Sequence, residues 1–316
     1  MASTDTVTAP CDCRLGQEWT LAQRAKNAVI LWTVRVTLWL ADRLPPGLLM
    51  RIGRHLGAAS RLVLARKRSA AERGLAMVMG DPDPVRRARD CFVCAGENLA
   101  TTLLLRRPSV RALDWVLVPH PVRLLLEETL SLGRGAVFVS AHLGPFELVA
   151  AVVSEFGFRP AVVVRESYDP RLDPLVDTHR VLRGIEVIHR GRPGAGNRIL
   201  RALRKGHPVG FLPDLGGRVQ RSPVMFLGRR LPMPVGPQRI ALRAGCPLLV
   251  GTLQPLTGVS ARPDDKPRFV LGLVRLEASD ESTLAQLVAD ELTSAIRSAR
   301  HHWLWMAAGF PWTERR

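Results

Sequence analysis

At 316 residues the chain is long enough to bury a substantial core, and its 47% hydrophobic and 23% charged residues exclude a wholly disordered protein. The 45 Lys and Arg residues against 28 Asp and Glu residues give a formal net charge of +17, which favours a polyanionic partner such as an anionic membrane or a nucleic acid. A single tyrosine and the lack of a zinc-finger or aromatic RNA-binding signature argue against nucleic acid, and the odd number of cysteines, five, favours a reducing compartment.

The first predicted element is a short apolar helix, which follows a loose tail at residues 1–20 that lacks the basic start of a secretory signal. Residues 28–41 read AVILWTVRVTLWLA, shorter than the roughly 20 apolar residues of a spanning helix and interrupted by Arg35. Trp32 and Trp39 are seven residues apart and share a helical face. This pattern predicts a helix lying on a membrane surface, with a buried core helix of a soluble domain as the alternative.

Further amphipathic helices follow, so residues 21–110 are predicted to form an N-terminal helical region that associates with a membrane. Pro45 and Pro46 end the first helix, and a Gly-Asp-Pro-Asp-Pro turn at residues 80–84 separates the later ones. The predicted helices cover residues 47–66, 69–79 and 85–105.

The pattern changes near residue 120, where short apolar runs alternate with helical segments. Such alternation predicts an α/β fold with a buried, largely parallel central sheet flanked by helices. The predicted strands are 135–140, 161–164, 185–188, 208–212 and 247–253, and the predicted helices are 122–130, one from Pro145, 175–182, 197–205, 238–244 and a long last one from Glu281 to about Trp305. We expect residues 111–316 to form this α/β part, integrated with the N-terminal helices in a single domain.

A histidine and an acid flank the turn after the first of these strands. His142 precedes a Gly144-Pro145 turn, and Glu147 falls in the first turn of the following helix. Reactive groups in such sheets collect at the carboxyl ends of strands. A carboxylate here can fix the imidazole tautomer and stabilise the imidazolium formed when a hydroxyl proton is taken. The structural alternative is that Glu147 satisfies first-turn amides and His142 is a turn residue.

This order of strand, histidine, Gly-Pro and acid-bearing helix resembles the catalytic block of the lipid A biosynthesis acyltransferase family, the lauroyl and myristoyl transferases of lipopolysaccharide, with their phosphatidylinositol mannoside acyltransferase relatives. The likeness covers residues 25–312. Other segments that resemble the family are 210–218 as a second acidic block, 224–228, Pro232, 234–236, 241–245 and the closing Trp303-Leu304-Trp305. The chain departs from the pattern at Leu215, where glutamine is frequent, and at Ala307 and Ala308, where basic residues are usual.

The resemblance implies a glycerolipid-acyltransferase-like fold in which His142 is the base. Glu147 is then the preferred partner for orienting the histidine. Asp214 is a second acid in the same cleft, which either orients the histidine or contacts the acceptor. The alternative for Asp214 is a turn residue before Gly216-Gly217.

Three arginines are candidate substrate-binding residues, because a guanidinium group grips phosphates through paired hydrogen bonds. Arg165 directly follows the strand at 161–164 and is placed to hold a phosphate or to polarise the thioester carbonyl. Its alternative is a surface salt bridge to Glu166 or Asp169. Arg180 lies in the next helix and Arg218 lies beside the second acidic block, and each is alternatively a solvated surface residue.

We therefore predict an O-acyltransferase that moves a fatty acyl group from acyl carrier protein or coenzyme A to a hydroxyl of a membrane lipid, such as a glycolipid precursor of lipid A. The expected location is the cytoplasmic face of the bacterial inner membrane, as a peripheral or monotopic protein on an anionic surface, with no nucleic-acid partner. The alternatives are a basic membrane- or nucleic-acid-binding protein without turnover, and a lipid hydrolase with the same His and acid.

No cofactor is expected beyond the acyl thioester as co-substrate, because a thioester is already activated. The Cys11-x-Cys13 and Cys91-x-x-Cys94 pairs together could supply the four thiolates of a zinc site. The first pair lies in the polar tail, however, and the second lies in a helical pattern. We therefore expect no metal.

Overall fold

The N-terminal region consists of four helices in the computed structural model, which describes residues 18–215, 219–256 and 266–308. The helices are α1 (Leu21–Arg43), α2 (Pro46–Val63), α3 (Ala65–Met79) and α4 (Pro84–Leu104). Thr20 and Gln23 form a capping box that starts α1, and Asp83 caps α4 by accepting the amide of Arg86 at 3.0 Å. The last three predicted helices are therefore confirmed to within four residues, and α1 begins seven residues before the predicted apolar stretch at 28–41. The division at residues 20 and 110 stays a prediction, and residues 1–17 of the expected tail lie outside the described ranges.

Helix α1 exposes its aromatic face. Its buried residues are Leu31, Leu38 and Ala41, whereas Trp32 is 63% exposed and Trp39 is 53% exposed. The interpretation of this stretch as a buried core helix is therefore wrong, because the two tryptophans lie on the side that faces away from the protein. Across the described ranges, every helix is too short or too polar to cross a bilayer.

Helices α2 and α4 pack with their backbones in close contact through glycines. A Cβ atom added at Gly53 would lie 2.5 Å from the carbonyl oxygen of Gly96, and one added at Gly57 would lie 2.3 Å from that of Phe92. No larger residue fits at these positions without moving one helix. Gly53 and Gly57, one helical turn apart on α2, thus fix the spacing of the N-terminal helices.

The rest of the chain forms a central sheet with helices around it. The strands are β1 (Val116–Leu117), β2 (Ala136–Val139), β3 (Ala161–Val164), β4 (Glu186–His189), β5 (Pro208–Phe211), β6 (Arg221–Phe226), β7 (Arg229–Pro234), β8 (Leu248–Pro255) and β9 (Phe269–Leu276). The helices are α5 (His120–Ser131), α6 (Glu147–Glu155), α7 (Asp173–Val181), α8 (Ala195–Arg204), α9 (Gly236–Ala244), α10 (Glu281–Ser298) and α11 (Trp305–Ala308).

The strand order of the main sheet is β1-β9-β8-β2-β5-β3-β4. Strands β8, β2, β5, β3 and β4 run parallel, and β9 pairs antiparallel with β8. The prediction of an α/β fold with a mostly parallel sheet flanked by helices is confirmed. Strands β1 and β9 and the separate β6–β7 hairpin were not predicted.

The expected continuous last helix is wrong. Helix α10 ends at Ser298, and the chain turns before α11 begins at Trp305. The intervening segment pairs instead with the loop after β2, through an antiparallel bridge between Leu143 and Trp303. This bridge takes the place of helical hydrogen bonds in the segment. It positions Trp303 in the protein interior, where its side chain is 1% exposed.

Candidate active site

His142 and Asp214 lie side by side at the carboxyl edge of the sheet, and strand register places them there. Strands β2 and β5 are neighbours, with Val139 opposite Phe211. His142 is the third residue after Val139, and Asp214 is the third residue after Phe211. Two adjacent parallel strands therefore deliver a base and an acid to the same point, where reactive groups of α/β proteins gather.

Asp214 is fully buried and accepts three hydrogen bonds. Its Oδ1 lies 2.8 Å from Nδ1 of His142, and its Oδ2 accepts the backbone N–H of His142 and the indole N–H of Trp303, both at 2.8 Å. The backbone and indole groups can only donate, so this side of the carboxylate is fixed as an acceptor. Because the carboxylate accepts from Nδ1 as well, the neutral imidazole keeps its lone pair on Nε2.

The imidazole of His142 is partly accessible, with 22% of its side chain exposed. The edge of the Phe146 ring contacts it, with centroids 4.9 Å apart. Burial is the largest influence on the pKa of His142 and lowers it. The charge and hydrogen bond of Asp214, with the charge of Glu147, outweigh burial, so the pKa of His142 is raised above its usual value. The ring is thus a base of increased proton affinity.

The C-terminal segment holds the histidine loop from the other side. The amide of Gly144 donates to the carbonyl of His302 at 2.9 Å, and the amide of Leu304 donates to the carbonyl of His142 at 3.2 Å. Trp303, between these two, is the residue that donates to Asp214. Backbone and indole contacts together fix the positions of both members of the pair.

Glu147 does not contact the imidazole; it bonds to helix α7. Both of its oxygens accept from the guanidinium of Arg180, and His179 Nε2 lies 3.2 Å from Oε2 without hydrogen-bond geometry. Burial raises the pKa of this carboxyl, but His179 and Arg180 lower it to about 2. The geometry therefore differs from the expected preference for Glu147: Asp214 is the carboxylate in contact with His142, and Glu147 acts on it only as a nearby charge.

Arg180 is held in a buried ion network and is not presented to solvent. Its side chain is 14% exposed, and it donates to Asp177 at 2.6 Å as well as to Glu147. His189 Nε2 lies 3.0 Å from the other oxygen of Asp177. The arrangement ties α6, α7 and β4 together, which differs from the expected phosphate-binding role of Arg180.

Arg165 is exposed at the end of β3. It donates to the hydroxyl of Tyr168 at 2.6 Å, and its guanidinium lies 5.0 Å from the centre of that ring. The alternative salt bridge is not formed, because Glu166 pairs with Arg192 and Asp169 pairs with Arg171. Arg218 lies outside the described residues.

The cysteines of α4 are free thiols. Burial raises the pKa of Cys91 strongly and that of Cys94 to about 12. Thiols of this kind pack as small apolar groups and are poor nucleophiles. Cys11 and Cys13 of the other considered pair lie outside the described ranges.

Sequence reasoning missed the contact of Trp303 with Asp214. The closing tryptophan motif was visible, but spacing alone carries no information on which buried acceptor an indole N–H reaches. Arg190, the residue after β4, was also overlooked. It lies beside Arg165 through the register of β3 and β4, which the sequence alone does not give.

One comparison with known proteins places the chain in a family. A family model described as "Bacterial lipid A biosynthesis acyltransferase" matches residues 20–310, which confirms the resemblance inferred from the sequence blocks. A comparison with curated proteins finds no match.

Proposed function

Because the chain belongs to the bacterial lipid A biosynthesis acyltransferase family, we propose that it transfers a fatty acyl group from an acyl thioester to a hydroxyl group of a membrane lipid. The observation that carries the proposal is the contact of 2.8 Å between His142 Nδ1 and the buried Asp214 at the carboxyl edge of the sheet. This contact leaves Nε2 of a partly exposed imidazole as the available base.

The proposed reaction is direct transfer with one proton relay. Nε2 of His142 takes the proton of the acceptor hydroxyl while the hydroxyl oxygen attacks the thioester carbonyl carbon. Asp214 holds the ring and stabilises the imidazolium. The carbon–sulfur bond then breaks, and the imidazolium returns the proton to the thiolate of the carrier. One ester bond replaces one thioester bond, and neither metal nor cofactor is needed to balance the step.

Negative charge on the carbonyl oxygen needs donors close to the histidine. Helix α6 begins just after the His142 loop, and the amides of Phe146 and Glu147 have no hydrogen-bond acceptor among the described residues. We assign these two amides to stabilising the oxyanion, as helix N-termini commonly do for anions.

We further propose that α1 holds the enzyme on the cytoplasmic face of the bacterial inner membrane, as a peripheral or monotopic protein. The guanidinium of Arg43 lies 4.3 Å from the Trp39 ring centre, and that of Arg35 lies 5.5 Å from the Trp32 ring centre. Exposed indoles beside cations suit an anionic interface. Trp32 also lines a shallow groove of about 480 Å³ on α1, together with Ala28, Val29, Thr33, Val36 and Thr37.

The donor and acceptor are proposed at the level of chemical class. Acyl carrier protein or coenzyme A supplies the thioester, and a glycolipid such as a lipid A precursor supplies the hydroxyl. Leu215, Ala307 and Ala308, which depart from the family pattern, are consistent with a different lipid headgroup or a different donor carrier. Mass spectrometry of membrane lipids from cells with and without the protein would identify the acceptor as the missing acylated species.

The direct test is acyl transfer from a radiolabelled thioester by the His142→Ala variant. Loss of a general base lowers turnover by about 10²–10⁴-fold, so we expect transfer to fall by this factor while vesicle binding persists. His207→Ala is the matched control, because His207 precedes β5 at the opposite edge of the sheet. Unchanged transfer by His142→Ala would contradict the proposal. Release of free fatty acid with no acylated lipid would identify a hydrolase instead.

A further inference from the structure

A second pair of functional groups lies further along the same sheet edge. The order β2-β5-β3-β4 brings the carboxyl ends of four parallel strands into one row. Arg165 follows β3 and Arg190 follows β4, with Val164 opposite His189 in the register and the Arg190 amide donating to the Val164 carbonyl at 2.9 Å. The two arginines therefore occupy neighbouring positions on adjacent strands.

Neither arginine is neutralised by a carboxylate within the ranges that the structure describes, and both are exposed. The acidic side chains of this edge are taken by other arginines: Glu166 and Asp173 by Arg192, and Asp169 by Arg171. Burial, and after it the charge of Arg165, lowers the pKa of Arg190. Two adjacent like charges that no described carboxylate neutralises attract a divalent anion.

The local structure around Arg165 and Arg190 favours the binding of an anion. Stacking and the hydrogen bond to Tyr168 hold the Arg165 guanidinium in one position, which reduces the entropy lost on binding. The loop after Arg190 leads into helix α8 at Gly194, whose φ of 78° is in the left-handed region, and no side chain of the described ranges caps the start of that helix. The Ala195 amide donates to the Arg192 carbonyl, whereas those of Gly196 and Asn197 have no acceptor among the described residues and are available at the start of α8.

We propose that Arg165 and Arg190 form a binding site for a phosphate group of the substrate, remote from the reacting atoms. The inference rests on the proposed acyl transfer and adds a second point of attachment. Three strand spacings of about 4.8 Å separate β2 from β4, so the site lies about 14 Å along the edge from His142. The phosphate belongs either to the carrier arm of the donor or to the headgroup of the acceptor lipid, and both are phosphate esters.

Pyrophosphate binding tests the site without any turnover. In isothermal titration calorimetry with inorganic pyrophosphate, we expect the Arg165→Gln and Arg190→Gln double variant to bind at least tenfold more weakly, about 1.4 kcal/mol. Arg204→Gln is the matched control, because Arg204 is an exposed arginine at the end of α8, which leads back to the opposite edge of the sheet. Equal affinity of the double variant and the control would overturn the proposal, whether or not acyl transfer is found.

Kinetics then identify the source of the phosphate. Arg190→Gln is assayed with acyl-coenzyme A and with the phosphate-free acyl-N-acetylcysteamine thioester. A KM increase of about tenfold for acyl-coenzyme A alone assigns the site to the donor. A similar KM increase for the lipid acceptor with both thioesters assigns it to the acceptor. Unchanged KM values for both substrates in an active enzyme would overturn the proposed phosphate site. An inactive wild-type enzyme would instead refute the proposed function, and the pyrophosphate titration would then decide on the site.

Discussion

Replacing Asp214 with Asn tests how the imidazole is oriented. In the protein, Oδ2 accepts the backbone N–H of His142 and the indole N–H of Trp303, while Oδ1 faces Nδ1 of His142. Because the first two groups can only donate, the amide oxygen of Asp214→Asn stays in the place of Oδ2 and the NH2 group faces Nδ1. The ring then takes the tautomer with its proton on Nε2, which removes the lone pair that accepts the hydroxyl proton in the proposed reaction.

The expected loss is in turnover, not in folding, because Asn and Asp have nearly the same shape. An equivalent tautomer error in Ser-His-Asp enzymes lowers kcat about 10⁴-fold, or about 5.4 kcal/mol at 1.36 kcal/mol per factor of ten. The substitution also removes the charge that raises the pKa of His142. Residual activity should therefore extend to lower pH than in the wild type.

The assay is acyl transfer from a radiolabelled thioester under single-turnover conditions, with thermal unfolding to verify the fold. Glu147→Gln is the matched control, because it removes a buried carboxylate at the same edge that contacts Arg180 and not the imidazole. If Asp214→Asn kept its turnover within tenfold of the wild type while Glu147→Gln lost it, Glu147 would be the orienting acid and the reasoning would be refuted.

Three further predictions concern other parts of the structure. Trp303→Phe removes a donor from Asp214, which leaves the carboxylate a stronger acceptor for the imidazolium and raises the pKa of His142 further. The acid limb of kcat/KM against pH should therefore move upward, and a downward or absent shift would contradict this. Glu147→Gln should lower the free energy of unfolding at pH 7 by about 3 kcal/mol in denaturant titrations, by breaking a buried ion pair. The pKa of Glu147 is lowered from 4.5 to about 2 on folding, so its contribution to stability is complete above pH 4.5 and is lost as pH falls towards 2. The difference in unfolding free energy between wild type and variant should therefore shrink at pH 3, and an unchanged difference would show that the carboxylate is irrelevant. Trp39→Ala should weaken binding to anionic vesicles at least tenfold in a sedimentation assay, since about 100 Å² of exposed indole at about 25 cal/mol per Å² corresponds to about 2.5 kcal/mol. Unchanged binding would contradict the proposal that α1 contacts the membrane.

Local pattern was sufficient for most helices and for the parallel strands. Buried strands such as β2 are continuous apolar runs, and proline and glycine mark the ends of helices such as α2 and α3. Strands β6 and β7 were not predicted because Pro223, Pro232 and Pro234 argue against a position inside a sheet. A two-stranded hairpin tolerates these prolines, since each of its strands has a free edge. Strand β9 carries an ordinary apolar run, FVLGLV, so the signal for it was present in the sequence.

The choice between the two acids was not contained in sequence spacing. Glu147 is five residues from His142 and Asp214 is far along the chain, so proximity in sequence favoured Glu147, whereas Asp214 is the carboxylate that contacts the imidazole. Strand order and register decide the contact, and both are properties of the assembled sheet. The same holds for Arg180, whose charge is used by Glu147 and Asp177 once α6 and α7 pack together.

The donors to Asp214 come from two distant parts of the chain, the loop at His142 and the segment at Trp303. During synthesis, the carboxylate therefore acquires its full set of partners only after the last part of the α/β region has left the ribosome. All of helix α1, by contrast, has been synthesised long before Trp303 is added. A chain that ends before Trp303 leaves Oδ2 of Asp214 with one of these two donors, the backbone N–H of His142.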